Sequence, residues 1–464
     1  MTGIAVNDAV AGRGLGLRAA AAAGQRRRPE LITVLPTVAV SGWLSSYAAW
    51  RLGLTAVVLA ATVAALAAGV LRRARRRSAL LAVVALVGVV TAGPVALLAR
   101  AGAHPPLLTA LAARQATVQV VAVVTGDPHV AATSRQPLVV VPARLLEVTA
   151  DTVTALSAPV VLLADDVQTW LPLLPGQRLR AVGRLAPTDP REAEGAVVIV
   201  RGSPELIGAP PWEQRFAGRI RAGLRGAVAG LPDSERGLLP GIVVGDTSAL
   251  DPHLQDDFRT VGLTHLVAVS GANLAIVLSA LLASVSCAGA GRRTRSVVIA
   301  LGIVAFVVVA RPSPSVLRAA VMGSVALVAL VSGRPRAALA ALAVSVYGLL
   351  LFVPQLATSA GFALSVVATG AIVLVAPRWR DAWSRRLPYR LAESLAVATA
   401  AQLACAPLLA ALFGQFSVAS VVANAVAEPA VPLATIAGAV AAVVSPVCHP
   451  VAVLLAWVAW LPAH

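Results

Sequence analysis

The sequence is poor in charged residues, cysteine and aromatic residues, and it contains no lysine. Charged side chains make up only 13% of the 464 residues, whereas soluble domains carry roughly 25%. This composition argues against a soluble enzyme. The three cysteines, Cys287, Cys405 and Cys448, have neither the spacing of a metal site nor that of a disulfide framework. We therefore expect no metal ion and no cofactor.

Apolar residues dominate instead, at 58% of the chain with a mean hydropathy of +0.82. Apolar runs of about 17–23 residues recur, each long enough to cross a bilayer as a helix. Three spans are predicted first, at about 31–48, 52–71 and 78–100. Eight more are predicted at about 263–284, 296–310, 316–332, 337–353, 360–376, 391–413, 430–446 and 450–462. Many of these later spans contain Gly or Pro, which is typical of broken helices that face protein or a water-filled path.

All 38 basic residues are arginine, and the formal net charge is +17. Most arginines lie in short runs between apolar segments, which is the positive-inside pattern. We interpret these runs as topological signals, with direct nucleic-acid binding as the alternative. The run at 72–77 then places the N-terminus in the cytoplasm and the end of the third span outside. Trp43, Tyr47 and Trp50 are interpreted as an aromatic belt at the outer membrane interface.

Residues 116–208 have a different pattern, in which short β-branched runs alternate with turn signals. Strands are predicted at 117–124, 138–149, 159–164, 176–185 and 196–201. Five short strands suit a small closed barrel of the OB type. Because the preceding span ends outside, we expect this domain to be extracytoplasmic. The predicted fold class is thus a polytopic α-helical membrane protein with an inserted extracytoplasmic small β-barrel (OB-like) domain.

A helix is predicted from Trp212 to Val228, where apolar residues recur every fourth position with arginines between them. It is amphipathic and suits the membrane surface; packing on the barrel or on neighbouring spans is the alternative. The complete predicted organisation has five parts. They are a disordered cytoplasmic tail (1–30), the N-terminal transmembrane helices (31–115), the barrel (116–208), the amphipathic helix with its linker (209–235) and the main transmembrane region (236–464).

Polar residues concentrate at 240–273, where Asp246 and Asp251 flank a turn and His265, Ser270 and Asn273 enter an apolar span. Polar groups at membrane depth usually face a bundle interior or cavity, so we expect them to line a pathway. Interhelical hydrogen bonding is the alternative. A serine hydrolase is not expected, because His265 lies about 140° from Ser270 around one helix. We therefore predict that the chain is not an enzyme.

Two further pairs of residues are candidates for lining the pathway or binding its substrate. Arg311 and Arg318 bracket a Pro-rich turn, where they would face an anionic substrate or snorkel to head groups. Asn424 and Glu428 are i, i+4 neighbours inside an apolar stretch. An intramembrane carboxylate is a functional candidate by default, although the prolines that follow also favour a role in capping freed backbone.

Taken in order, several motifs resemble the ComEC family, the inner-membrane channel for DNA uptake in natural transformation. The most specific are GLLPGIVVGDTSALD and FRTVGLTHLVAVSGAN within 237–273. The others are PSVLRAAVMG, GFALSVVATGAIVL, Gln402, FGQFS and NAVAEPAVPL. The chain departs from the family pattern in having Asn273 where members commonly have His. It also has no HxHxDH motif of the family's C-terminal metallo-β-lactamase-like domain, so we expect no nuclease activity and a truncated or split member.

The resemblance implies a multi-pass protein of the bacterial plasma membrane that carries single-stranded DNA into the cytoplasm. The implied partners are single-stranded DNA, membrane lipid, other competence-machinery proteins and a separate nuclease or helicase. Two other classes stay open on the residues alone. A secondary transporter of a small or lipid-linked anion would also use broken helices and Glu428, and an intramembrane hydrolase would need a nucleophilic Ser270.

Overall fold

The computed structural model describes residues 29–74, 76–131, 138–150, 152–261, 263, 271–311, 314–331, 338–413, 423, 426–427 and 430–461. It contains an N-terminal helical region, a β-barrel and a second helical region. The first region comprises α1 (Pro29–Leu52), α2 (Leu54–Ala74), α3 (Arg76–Ala103) and α4 (Pro106–Ala113). Its three long helices pack against one another, as the three predicted spans require.

Five strands close the barrel and correspond to the five predicted strands, although β4 begins six residues before the predicted 159–164. They are β1 (Thr117–Val124), β3 (Leu138–Thr149), β4 (Val153–Ala164), β5 (Arg178–Ala186) and β6 (Ala196–Val200). The strand order around the ring is β1-β3-β4-β6-β5, and β5 returns to pair with β1. All neighbours are antiparallel except β4 and β6. Short strands β2 (His129–Ala131) and β7 (Glu205–Ile207) extend the sheet, and α5 (Val167–Trp170) lies between β4 and β5.

The barrel core follows from alternation along the strands, because successive side chains point to opposite faces; β3 departs from it at a register shift between Leu145 and Glu147. Along β1, for example, every second residue from Val118 to Val124 is buried. Much of the core is Ala and Val, and the largest core side chain is Trp170, which is fully buried. Its indole Nε1 donates to the carbonyl of Gly202 at 2.8 Å, so the polar end of the ring is satisfied as well.

The second helical region follows α6 (Trp212–Val228). Its helices are α7 (Asp233–Val244), α8 (Pro252–Val261), α9 (Gly271–Cys287), α10 (Arg292–Ala310), α11 (Pro314–Val331), α12 (Ala338–Phe352), α13 (Ala360–Leu374), α14 (Ala376–Trp383), α15 (Tyr389–Phe413), α16 (Val431–Val444) and α17 (His449–Trp460). Among the described residues, Leu80–Ala103, Arg292–Ala310 and Tyr389–Ala411 are long and apolar enough to cross a membrane. The pair α13 and α14, bent by 44°, adds a fourth span if taken together, and several other apolar helices are shorter. The chain is a membrane protein, and its total number of spans stays a prediction.

The first helical region contacts both other parts of the molecule. The indole of Trp50 donates to the carbonyl of Arg191 (3.0 Å), and His104 contacts the carbonyl of Glu192 (3.1 Å), so both hold one barrel loop. In the other direction, Trp43 donates to the carbonyl of Ala357, beside α13 (2.9 Å). The aromatic-belt prediction is therefore wrong for Trp50. Its ring is fully buried against the barrel because its N–H finds a backbone partner there.

The amphipathic helix has the predicted bounds, and its two halves have different environments. Ile220, Leu224 and Val228 are buried against α16 and α17, which corresponds to the packed alternative. Trp212 and Phe216 in the first half are 73% and 55% exposed. Only the second half thus belongs to the core of the helical region.

Candidate functional site

The end of α7 is buried, so its last carbonyl groups need partners inside the protein. Gly245 ends the helix in the left-handed conformation, φ 72° and ψ 23°, which glycine adopts at little cost. The amide of Gly245 donates to the carbonyl of Gly241 (3.0 Å), and the amide of Asp246 donates to that of Pro240 (3.1 Å). This turn holds Asp246 directly beyond the helix end. The carbonyls of Ile242 and Val244 accept hydrogen bonds from side chains of other helices instead.

Arg221 of α6 satisfies one of them. Its Nη1 donates to the carbonyl of Val244 (2.8 Å) and to that of Val309 near the end of α10 (3.2 Å). Its Nη2 lies 3.8 Å from Oδ1 of Asp246, and only 6% of the Arg221 side chain is exposed. Burial lowers the pKa of Arg221, and the carboxylate of Asp246 opposes that shift. One guanidinium thus binds the C-terminal ends of two helices, where a positive charge is favourable.

The barrel contributes Asp127, which lies in the turn between β1 and β2. Its Oδ2 accepts from Nη2 of Arg221 (3.1 Å), and its Oδ1 pairs with Arg311, the residue after α10. On the other side, Nη1 of Arg225 lies 3.3 Å from Oδ2 of Asp246. We call Asp127, Arg221, Arg225, Asp246 and Arg311 the junction cluster, because the barrel, α6 and the second helical region meet there. Three guanidinium groups and two carboxylates leave one positive charge in excess.

The backbone of Arg311 has an unusual conformation, φ 64° and ψ 150°. This region is occupied almost only by glycine, and another residue there costs on the order of 1–3 kcal/mol. The side chain is 13% exposed and turns toward the barrel to reach Asp127. The strained backbone and the contact of the side chain with Asp127 together make Arg311 a candidate functional residue.

Asn273, near the start of α9, satisfies the second carbonyl of α7. Its Nδ2 donates to the carbonyl of Ile242 (2.7 Å), and the residue is 2% exposed. This contact is the interhelical hydrogen bond that the sequence left as an alternative, and a pathway-lining role stays a prediction. A third helix approaches closely at Gly438 of α16, where an added Cβ would lie 2.3 Å from Cγ2 of Val243. The end of α7 is therefore fixed by α6, α9 and α16.

Arg318 lies one turn into α11, as predicted, but it is buried, with 5% of the residue exposed. Its guanidinium carbon lies 5.8 Å from the ring centroid of Phe362 on α13, within cation–π range. Phe362 in turn makes an edge contact with Trp43 of α1, with 5.1 Å between ring centroids. The structure thus places Arg318 in a core shared by three helices, rather than among the junction residues.

The other predicted site residues fall into two groups. Asp251 is exposed, and its Oδ1 accepts the amide of His253 (2.8 Å) at the start of α8, which is a capping contact. Gln402 is half-buried on α15, which packs on α13 and α14. Four candidates lie outside the described residues: His265, Ser270, Asn424 and Glu428.

Sequence reasoning missed Asp127, Arg221 and Arg225. The signal for Arg221 was available, because it lies four residues after Ala217 and three before Leu224, on the buried face of α6. Asp127 stands in the sequence Gly126–Asp127–Pro128, which is a turn signal, and its partners Arg221 and Arg311 lie 94 and 184 positions further along the chain. Within the part of the chain that the structure describes, no three His, Cys, Asp or Glu side chains come together as metal ligands.

Comparison with known proteins finds one matching family model and one similar curated protein. Residues 242–463, which include Asp246, Asn273, Arg311 and Arg318, match the family model described as Competence protein. The match covers most of the second helical region. Over 192 residues, 41% of this chain, the sequence is 31% identical to ComE operon protein 3 of Bacillus subtilis (strain 168). The predicted resemblance to the ComEC family is confirmed.

The similarity to the Bacillus protein covers only part of each chain. The aligned segment spans 24% of the Bacillus protein, so less than two thirds of that relative is covered. No solved structure matches the chain.

Proposed function

We propose that the protein is a channel component that carries single-stranded DNA across the bacterial plasma membrane into the cytoplasm during natural transformation. The observation that carries this proposal is the junction cluster, which brings Arg221, Arg225 and Arg311 together between the barrel and the competence-type region. A polyanion that passes from one part to the other needs positive charge along its route, because phosphate neutralisation dominates the affinity of proteins for nucleic acid. The family match supports the same process.

In this proposal the barrel is extracytoplasmic and of the OB type. Its ring of five strands with a single parallel pair supports the OB assignment. The arginine run at 72–77 supports the placement, because it favours a cytoplasmic loop before α3. Trp170, the only aromatic residue of 116–208, is buried in the core, so base stacking on this residue is not available. The barrel would act as a structural or gating element rather than as a stacking platform.

The proposed role is passage and not chemistry. The buried polar groups of the site satisfy helix ends and one another, as Arg221 and Asn273 do, and this positions helices around a route. Degradation of one strand and the driving force for uptake would come from other competence-machinery proteins, including a separate nuclease or helicase. Membrane lipid is the remaining partner, at the surface of the apolar helices.

A transformation assay in a naturally competent host that lacks its own ComEC protein tests the proposal. Residues 1–464 are expressed alone, and membrane insertion is verified by fractionation. We expect rescue by the unmodified chain and at least a roughly tenfold loss with Arg311→Ala, since a phosphate contact and the barrel contact are both removed. Arg293→Ala is the matched control, because Arg293 is exposed at the opposite end of the same helix. Its transformation frequency should equal that of the unmodified chain.

Three results would count against the proposal. The first is that the chain inserts correctly but gives no transformants, even when a C-terminal domain of the ComEC family is fused to it. Another is equal loss in the Arg311 and Arg293 variants, which would assign the effect to charge or topology in general. The third is labelling of Ser270 by a serine-reactive fluorophosphonate, which would favour the hydrolase.

A further inference from the structure

The carboxylate of Asp127 lies between two arginines, one at each oxygen. One carboxylate oxygen accepts from Nη2 of Arg221 at 3.1 Å, and the other pairs with Arg311. A phosphodiester group presents two non-bridging oxygens in the same way, and guanidinium groups bind carboxylates and phosphates with the same fork of donors. Asp127 therefore occupies the position in which these two arginines would hold a phosphate.

The two sides of this contact differ in how firmly they are fixed. Arg221 is buried and also bonds the carbonyls of Val244 and Val309, so its guanidinium keeps its place without Asp127. Asp127 lies on a barrel turn, and its side chain is 31% exposed. Arg225, with 48% of its side chain exposed, adds an accessible positive charge at the other carboxylate oxygen of Asp246. Loss of the Asp127 contact would thus leave the ends of α7 and α10 bonded to Arg221.

We propose that the junction cluster is a phosphodiester-binding site held closed by Asp127, which acts as an intramolecular substitute for a phosphate of single-stranded DNA. The ligand class rests on the proposed function; the closed arrangement rests on the contacts of Asp127. Displacement of Asp127 frees the barrel turn from Arg221 and Arg311, so that occupation of the site and release of the barrel are coupled. With no nucleic acid present, the ion pairs keep the barrel seated on the helical region.

Fluorescence anisotropy of a labelled oligothymidine tests this site with the full chain in phosphatidylcholine nanodiscs. Asp127→Asn keeps the shape of the side chain and removes its charge. We expect the variant to bind the oligonucleotide about five- to tenfold more tightly than the unmodified chain at low salt. Glu205→Gln is the matched control: it removes one carboxylate from the same barrel, where it pairs with Arg180 at 3.1 Å. Its effect on affinity should stay within about twofold, because its ion pair is exposed and outside the cluster.

The dependence on salt adds a second readout. Each phosphate contact to a single strand contributes about 0.7 to the slope of log affinity against log salt. Arg311→Ala should lower that slope by about 0.7, and the double variant Asp127→Asn/Arg311→Ala should lose the gain of Asp127→Asn. An oligonucleotide with uncharged methylphosphonate linkages should bind all variants alike. Size-exclusion profiles and membrane insertion establish that each variant is folded.

If Asp127→Asn and the unmodified chain bind the oligonucleotide with equal affinity, the proposal is wrong. The contacts of Asp127 would then serve only to hold the barrel on the helical region. An equal gain in affinity with Glu205→Gln would also contradict it. So would loss of the Asp127→Asn gain in phosphatidylglycerol nanodiscs, because a lipid head group would then be the ligand. These results would not contradict the proposed DNA transport, which the transformation assay tests independently. If no variant binds the oligonucleotide and transformation also fails, the DNA function itself is wrong, and the ligand of this site with it.

Discussion

The barrel and the second helical region satisfy their polar groups in different ways. In the barrel, strand pairing closes the ring β1-β3-β4-β6-β5, in which β5 pairs again with β1. Most backbone groups of the strands therefore find partners within the domain. In the helical region, the buried end of α7 depends on side chains of α6 and α9, which lie on either side of it in the chain. Backbone pairing between strands therefore holds the barrel together, whereas the buried end of α7 is fixed by side chains of other helices.

The largest effect is expected from Arg221→Ala, which removes one of the two arginine contacts of Asp127 and the contacts of Arg221 with two helix ends. The substitution leaves Asp246 buried at 4% exposure with one arginine fewer, and the carbonyls of Val244 and Val309 lose a donor. Removing one partner of a buried ion pair costs about 3–5 kcal/mol, so we expect loss of folded, inserted protein. Thermal unfolding in detergent measures this. Arg219→Ala, which removes an exposed arginine two residues earlier, should leave the unfolding temperature unchanged; equal loss in both would assign the effect to α6 as a whole.

A medium effect is expected at Asn273. In Asn273→Ala the carbonyl of Ile242 loses its side-chain donor, and leaving a buried acceptor unsatisfied costs about 1–3 kcal/mol. Asn273→His, which restores an N–H donor, should recover part of the lost stability. Recovery is read from the unfolding temperature of the two variants. If the histidine variant is no more stable than the alanine variant, the hydrogen bond to Ile242 is not what Asn273 contributes.

The smallest effect is expected on the barrel surface. Arg180 and Glu205 form an ion pair at 3.1 Å, with 39% and 64% of their side chains exposed. Exposed pairs contribute about 0–1 kcal/mol, so Glu205→Gln should barely change the unfolding temperature, and 0.5 M salt should remove any difference. A loss as large as that of Asn273→Ala would contradict the comparison, because the barrel would then depend on side-chain contacts as the helices do.

The same difference explains which parts of the structure could be predicted. Strands β1 and β3 coincide with the predicted 117–124 and 138–149, because alternation and turn residues are local signals. The amphipathic helix was bounded correctly at Trp212 and Val228 for the same reason. The helices of the second region were recognisable from their apolar runs, but neither their partners nor their bends follow from hydropathy.

The candidate site could be predicted only in part. Asp246 and Arg311 were identified because charged residues next to apolar spans are conspicuous. Their partners Arg221 and Asp127 were not, because pairing across 25 and 184 positions leaves no periodic signal in the sequence. Trp50 shows the opposite error, since a local aromatic cluster suggested a lipid interface while its indole bonds a barrel loop 141 positions away.

The contacts of Arg221 also have a consequence for biosynthesis. Asp127, Val244 and Asp246 are synthesised before α10, whereas Val309 and Arg311 emerge only with its end. Until that helix is in place, Arg221 has only part of its set of partners, and Asp127 has one arginine instead of two. The set of contacts that join Asp127 to the helical region is therefore complete only when the end of α10 is present. A chain interrupted before residue 309 would present a barrel that is folded but incompletely attached.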